Sequence, residues 1–278
     1  MKKPFEVKDH SVSGKTFSLR YDAQSHMYFT EPKPSEAELP SYYESKDYIS
    51  HTDGTRSFFE KVYQGVKQIA LSRKHNLLKK HVPTQGTVLD IGAGTGDFLE
   101  FLSKKGWNIQ GVEPSEQARS LAAKKAIVLE KELPRDTSPF DAITMWHVLE
   151  HVYELEAQWS WLKTHLAMDG TLFIAVPNFE SHDANVYSAH WAAYDVPRHL
   201  YHFSKKAIKR LAQENQLEVV AVHPMKFDAY YVSLLSEKYK KGRMRFVQAF
   251  WNGWISNFKA RRSGAYSSLI YVIKHQKN

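Results

Sequence analysis

Alternating apolar positions open the chain. In residues 16–30, TFSLRYDAQSHMYFT, Phe17, Leu19 and Tyr21 share one face of an extended segment, a polar break follows, and Met27 and Phe29 resume the pattern. Alternation on both sides of a polar turn predicts a β-hairpin. The stretch EPKPSEAELP is rich in proline and charge and reads as a linker; within it Ser35 and Glu38 have the capping-box spacing that starts a short helix. Phe59, Val62, Tyr63, Val66, Ile69, Ala70 and Leu77 then recur at helical spacing up to about Lys80, which predicts one long amphipathic helix.

Beyond Pro83 the rhythm changes. The short apolar runs TVLDIG, NIQGVE, AIVLE, FDAITMW and TLFIAVP alternate with helix-forming segments. Parallel strands need long crossover connections, so this alternation predicts a doubly wound α/β domain that binds ligands at the carboxyl ends of its strands. After Pro177 come a segment rich in His, Tyr and Asn, a helix near 205–214, a strand near 217–222 and a last strand in SSLIYVI. Residues 227–262 combine helical aromatics with the basic cluster Lys238, Lys240, Lys241, Arg243 and Arg245, and read as a helical insertion. The expected organisation is a hairpin and linker over 1–34, a helical lid over 35–82 to which Tyr42, Tyr43, Tyr48 and His51 contribute, and the α/β domain over 83–278.

Composition narrows the chemistry. Among 278 residues there is no Cys, which excludes disulfides, thiolate zinc sites, iron–sulfur clusters and thiol nucleophiles. No apolar run approaches a bilayer span, and Met1-Lys2-Lys3-Pro4 leads into polar residues, so the expected location is cytoplasmic. A formal net charge of +8 admits acidic partners without specifying one.

The strongest motif is VLDIGAGTGDFLEFL, where a strand through Asp90 enters a turn with Gly92, Gly94 and Gly96 before a helix. A dinucleotide fingerprint needs a third glycine at position 97, which is Asp, a negative charge where a pyrophosphate would sit; no Lys followed by Ser or Thr closes a triphosphate loop either. About 20 residues on, the next strand ends in Glu113, placed to accept ribose hydroxyl protons. A phosphate-free, cationic nucleoside satisfies both features. Asp-x-Gly-x-Gly-x-Gly followed by that Glu resembles the class I S-adenosylmethionine-dependent methyltransferases, over roughly residues 83–278. The resemblance implies a Rossmann-like, mostly parallel, seven-stranded sheet with S-adenosyl-L-methionine as cofactor and S-adenosyl-L-homocysteine as product. It also implies that Asp90, Gly92, Gly94 and Gly96 surround the methionine part, that Glu113 binds the ribose, and that Leu133, after the third strand, flanks the adenine.

The fourth strand runs into Met145-Trp146-His147-Val148-Leu149-Glu150-His151. The resemblance, closest to methyltransferases of the ubiquinone-biosynthesis type, places this strand end, with Trp146, beside the transferable methyl group. Some quinone O-methyltransferases of that type carry Glu-x-x-Glu-His with a divalent cation; here His147 replaces the first Glu, which removes one hard ligand, argues against Mg²⁺ dependence and leaves Glu150 and His151 as candidate ligands without an assigned metal site. The same letters spell H-x-x-E-H, but this pair begins at a strand end rather than on a helix, which argues against zinc hydrolysis. HWAAYDVPRHLYHFS, after the fifth strand, concentrates Trp191, Tyr194, Asp195, Arg198, His199, Tyr201 and His202; a similar Pro-Arg-His-Leu-x-His-Phe pattern in small-molecule members of the family places it near substrate.

Methyl transfer from a sulfonium is an in-line displacement, so alignment and water exclusion carry much of the catalysis. For a hydroxyl acceptor a histidine can take the proton, and His147, His199 and His202 are the candidates. The expected acceptor is an O or N atom of a small molecule. RNA modification through the basic aromatic insertion, and a non-catalytic module that only binds S-adenosylmethionine, are the alternatives.

Overall fold

A computed structural model describes residues 3–43, 58–82, 84–135 and 137–276, with the backbone alone for 58–64. In chain order the strands are β1 (Phe5–Lys8), β2 (Thr16–Asp22), β3 (Met27–Glu31), β4 (Thr87–Ile91), β5 (Asn108–Val112), β6 (Phe140–Trp146), β7 (Leu166–Pro177), β8 (Tyr201–His202), β9 (Leu217–Pro224) and β10 (Ser268–His275). The α-helices are α1 (Phe58–His81), α2 (Asp97–Ser103), α3 (Glu116–Ala123), α4 (Leu155–His165), α5 (His182–Tyr187), α6 (Lys205–Glu214), α7 (Asp228–Lys241) and α8 (Phe246–Ser263).

The main sheet has the order β5-β4-β6-β7-β10-β9. β4 to β7 are mutually parallel, and β10 runs antiparallel to both β7 and β9. Period two divides its side chains between two cores. Ile143, Leu172, Ile174 and Tyr271 pack with Trp159 and Leu162 of α4 and Ile208 of α6. Their neighbours Ala142, Phe173 and Val272 pack with Leu71 and Leu78 of α1 and Phe98 and Leu102 of α2. Covered on both faces, the central strands are predominantly apolar, the pattern expected of a doubly wound sheet, with Asp90 and Thr144 as buried polar exceptions.

The sheet has six strands among the described residues, one fewer than the expected seven. AIVLE contributes only an isolated bridge between Val112 and Glu130. Ala126 leaves α3 through a left-handed conformation with φ 59, and the chain then meets the sheet edge for a single residue, where Glu113 N donates to Glu130 O and Glu130 N to Gly111 O. Ile127 and Leu129 are buried against Leu99 and Ala122 while Val128 points to solvent, so the apolar pattern reflects packing beneath an edge rather than a full strand.

The N-terminal hairpin is β2 and β3, extended on one side by β1 and on the other by β8, which gives a four-stranded antiparallel sheet in the order β1-β2-β3-β8. Val7, Phe17, Leu19 and Tyr28 bury one face of it against Tyr42, Phe179, Tyr187, Trp191, Tyr194 and Val232. Ser35 and Glu38 form one half of the expected capping box: Ser35 N and Oγ both donate to Glu38 Oε2, at 2.9 and 2.7 Å, while Glu38 N donates to the Ser35 carbonyl at 3.0 Å, ahead of a 3₁₀ turn at Leu39–Tyr43. Tyr48 and His51, expected in the lid, lie outside the described residues. The insertion is the pair α7–α8 between β9 and β10. No helix among the described residues is long and apolar enough to cross a membrane.

Candidate cofactor and active site

The carboxyl ends of β4, β5 and β6 meet around the glycine turn. Gly92, with φ 71, and Ala93 donate their amides to Val112 O at 2.8 and 3.0 Å, which clasps the turn to the end of β5. A Cβ on Gly92 would lie 2.4 Å from Val148 Cγ2, so the turn is pressed against the segment leaving β6. Gly94 differs: its φ is 55 and a Cβ there would meet nothing within 4 Å. This is the part of the turn open to a ligand. Gly96, also left-handed, leads into α2.

Two carboxylates flank that opening. Glu113 accepts from Gly94 N and from Ser115 N, both at 2.9 Å, so two amides orient it and its remaining lone pairs stay available to hydroxyl donors. Asp90 is buried; burial raises its pKa to about 6 against the Thr144 hydroxyl, which donates to it at 2.5 Å, and the nearby Lys74 ammonium. Lys74 comes from α1 and stands 4.3 Å from the centre of the Trp146 ring, whose other neighbour is Phe98, edge-on at 5.6 Å. Burial lowers the Lys74 pKa, opposed by the charges of Asp90, Asp228 and Asp97. Asp97 itself is held by Lys67 at 2.8 Å and Lys125 at 2.6 Å; burial works against its ionised form, but these bonds keep its pKa below the usual value. Its charge is therefore already paired, which weakens the repulsion expected from the sequence. Leu133 is partly buried and packs against the core on the α4 side.

The three expected histidines fall into different states around Glu150. His147 is left-handed at φ 59 and both ring nitrogens are engaged, Nδ1 with Glu150 Oε1 at 3.2 Å and Nε2 with Asp228 Oδ2 at 2.9 Å. Burial opposes its charge, but the hydrogen bonds and charges of Asp228 and Glu150 prevail and raise its pKa to about 10. His147 is thus an imidazolium at neutral pH, and its expected role as proton acceptor is corrected: it has no free lone pair to offer. His202 is neutral, its pKa taken down to about 3 by burial. Thr30 Oγ1 donates its proton to His199 O at 2.6 Å and therefore accepts from His202 Nε2 at 3.0 Å, which commits His202 to the β3–β8 seam. His199 is also neutral, burial and then His151 keeping its pKa well below the usual value. Its Nδ1 donates to Ala193 O at 2.9 Å, which leaves the lone pair on Nε2.

Glu150, His151 and His199 offer ligand atoms within 4.8 Å of one another. His151 Nδ1 is 3.0 Å from both Arg198 O and the Tyr43 hydroxyl, and Glu150 Oε2 is buried without a hydrogen-bond partner among the described residues. This nitrogen-rich donor set is unlike the oxygen shell that Mg²⁺ prefers.

Residues 63–222 match the family described as "Methyltransferase domain", more than half of the chain. The chain belongs to the methyltransferase-domain family. An uncharacterized methyltransferase from Alkaliphilus oremlandii is 31% identical over 107 residues, 36% of this chain and 49% of that protein, so the chain spans about half the length of that relative. A ubiquinone biosynthesis O-methyltransferase from Actinobacillus pleuropneumoniae is 25% identical over 55% of this chain and 72% of that protein. Among solved structures, magnesium protoporphyrin IX methyltransferase from Synechocystis PCC 6803 with bound SAH superposes with a TM-score of 0.57 at 16% identity, covering 87% of this chain and all of that one. This last likeness concerns the fold.

Four residues of this methyltransferase-domain protein carried no sequence signal. Lys74 lies on one of many polar helical positions, Thr144 is one strand residue among seven, and Asp228 reaches His147 from 81 residues away. Asp9, near the N-terminus, is buried 3.3 Å from Arg198 Nη2. Each acquires its role only when separate elements converge.

Proposed function

We propose that this chain is an S-adenosylmethionine-dependent methyltransferase acting on an O or N atom of a small-molecule acceptor, in a cytoplasmic setting. The observation that carries the reading is the glycine turn, open at Gly94 and flanked by Asp90 and Glu113 at the carboxyl edge of parallel strands. These residues fit a cationic nucleoside: Glu113 toward ribose hydroxyls, Asp90 toward the amino end, Trp146 and Leu133 along the walls. S-adenosylmethionine held there supplies an electrophilic sulfonium methyl group. The rest falls to the chain's own side chains, which orient the acceptor and exclude water. His199 Nε2, a neutral lone pair beside Glu150 and His151, is the group to take a hydroxyl proton, while an amine acceptor needs no such base. Similarity to ubiquinone biosynthesis O-methyltransferases supports oxygen as the acceptor atom.

Calorimetric titration with S-adenosylmethionine and S-adenosylhomocysteine is expected to give micromolar binding, weakened about tenfold or more in Glu113→Gln, which removes one charged hydrogen-bond acceptor. Incubation with a metabolite extract is then expected to yield S-adenosylhomocysteine. Absence of binding by the folded protein at millimolar ligand overturns the reading. Binding without turnover identifies a non-catalytic module, and turnover lost after ribonuclease treatment identifies an RNA modifier.

A further inference from the structure

In the pair α7–α8, α7 packs Val232, Leu235 and Tyr239 against the body, and α8 carries its large apolar residues outward. α8 turns the small residues Ala249, Gly253, Ser256 and Ala260 inward, where a Cβ on Gly253 would lie 3.0 Å from Ala229 O of α7. The large residues face solvent: Phe246, Phe250, Trp251, Trp254 and Phe258 are 45–59% exposed and Val247 73%. At 3.6 residues per turn these positions fall on one side of the helix. The rings form a continuous ridge, from Tyr230 stacked on Phe250 at 5.5 Å, through Trp251 and Trp254 edge-on at 5.7 Å, to Trp254 stacked on Phe258 at 5.5 Å.

Positive charge flanks the two ends of the ridge. Residues 226–264 carry nine Lys or Arg and two carboxylates, a surplus of seven where the whole chain has +8. Neither carboxylate lies on the outer rim: Asp228 is bound to His147 and Glu237 is buried. Arg243 and Arg245 precede the aromatic band, and Lys259, Arg261 and Arg262 follow or flank its far end.

We propose that α8 docks this protein on a bilayer surface bearing anionic lipid headgroups, with the aromatic ridge seated at the headgroup–acyl boundary and the Lys and Arg at its ends facing phosphates. Amphipathic aromatics beside cations are the composition that holds a helix in the interfacial plane. A second copy of the chain fits the ridge poorly, because its rim would face a rim of the same sign. RNA fits poorly too, since the rings pack on one another and the cations cluster at the ends instead of tracking a backbone. Asp228, at the first turn of α7, bonds His147 at the end of β6, and Tyr230, two residues on, stacks on Phe250 of the ridge, so the docked face adjoins the candidate active site.

Co-sedimentation of the full chain with phosphatidylcholine vesicles, with and without about 30% phosphatidylglycerol, tests this. The pelleted fraction is expected to rise several-fold with the anionic lipid and to fall with added salt. The double variant Trp254→Glu/Phe258→Glu is expected to lose pelleting while keeping its far-UV spectrum and its calorimetric response to S-adenosylmethionine, and Arg243→Ala/Arg261→Ala/Arg262→Ala to lose the salt dependence. Vesicle-independent behaviour of the wild type, or equal pelleting of the aromatic variant, overturns the proposal. So does a dimer in sedimentation velocity, or an RNA gel shift, that the aromatic variant abolishes in place of lipid binding. The pelleting readout is independent of methyl transfer, so its failure is distinct from failure of the enzymatic reading.

Discussion

At the scale of the residue, Gly94 separates a binding role from a folding role. An added methyl group meets open space, so Gly94→Ala is expected to cost only about 1 kcal/mol, from the left-handed backbone, while filling the space a ligand would approach. Denaturant unfolding should show the small loss and calorimetry at least a tenfold weaker response to S-adenosylmethionine; unchanged affinity would remove the turn from the site. Asp90 gives a second test. With its pKa raised to about 6 by burial, it is about half protonated at pH 6, and a cationic ligand favours the carboxylate. Binding should release up to about half a proton at pH 6 and none through Asp90 at pH 8, measurable by titrating in buffers of different ionisation enthalpy. The residues of this turn were legible because Asp90, Gly92, Gly94, Gly96 and Glu113 are fixed by short-range geometry between neighbouring strands. The protonation of His147 was not legible, because its decisive partner, Asp228, arrives from a distant helix.

At the scale of the element, the contact between α7 and the end of β6 has a pH signature. His147 has its folded pKa raised to about 10, so the stabilisation it provides is fully present below its unfolded value near 6.5 and is lost as pH rises through about 10. A third of the side chain remains accessible, so solvent screening reduces the effect. Unfolding midpoints measured at pH 6, 8 and 10 should decline for the wild type and decline less for Asp228→Asn; identical profiles would show that the pair contributes nothing. AIVLE teaches the complementary lesson about elements. Its apolar pattern reports burial of Ile127 and Leu129, which a bridge beneath an edge satisfies as well as a strand does, so periodicity alone overstated the sheet by one strand. α8 inverts the usual rule. Its aromatics recur at helical spacing as a core-facing stripe would, yet the small residues take the inner side because α7 lies too close for rings.

At the scale of the whole molecule, Arg198 ties three separate parts of the chain together. Its guanidinium bonds Asp195 at 2.6 and 3.0 Å, Tyr42 O at 2.9 Å and Asp9 Oδ1 at 3.3 Å, and so joins the loop after β7, the segment before α1 and the small sheet. Arg198→Met removes the guanidinium from buried Asp9, which keeps its bonds to Ser11, Val12 and Ser13, and from the partly buried Asp195, and is expected to cost about 3 kcal/mol in chemical denaturation. Combination with Asp9→Asn should recover part of that loss, and strict additivity in the double-mutant cycle would show that the two do not interact. The sequence by itself determined the doubly wound α/β layout, the N-terminal hairpin, the helical insertion and the glycine turn with its two carboxylates. These follow from hydrophobic period, strand–crossover alternation and residue spacings of a few positions. Only the tertiary structure decided that the hairpin grows into a four-stranded sheet closed by Tyr201–His202. It alone made His147 a cation, left His199 with the free lone pair and turned the aromatics of α8 outward. Each of those outcomes depends on charges, hydrogen-bond partners and close backbone approaches between segments far apart in the chain, which no local pattern encodes.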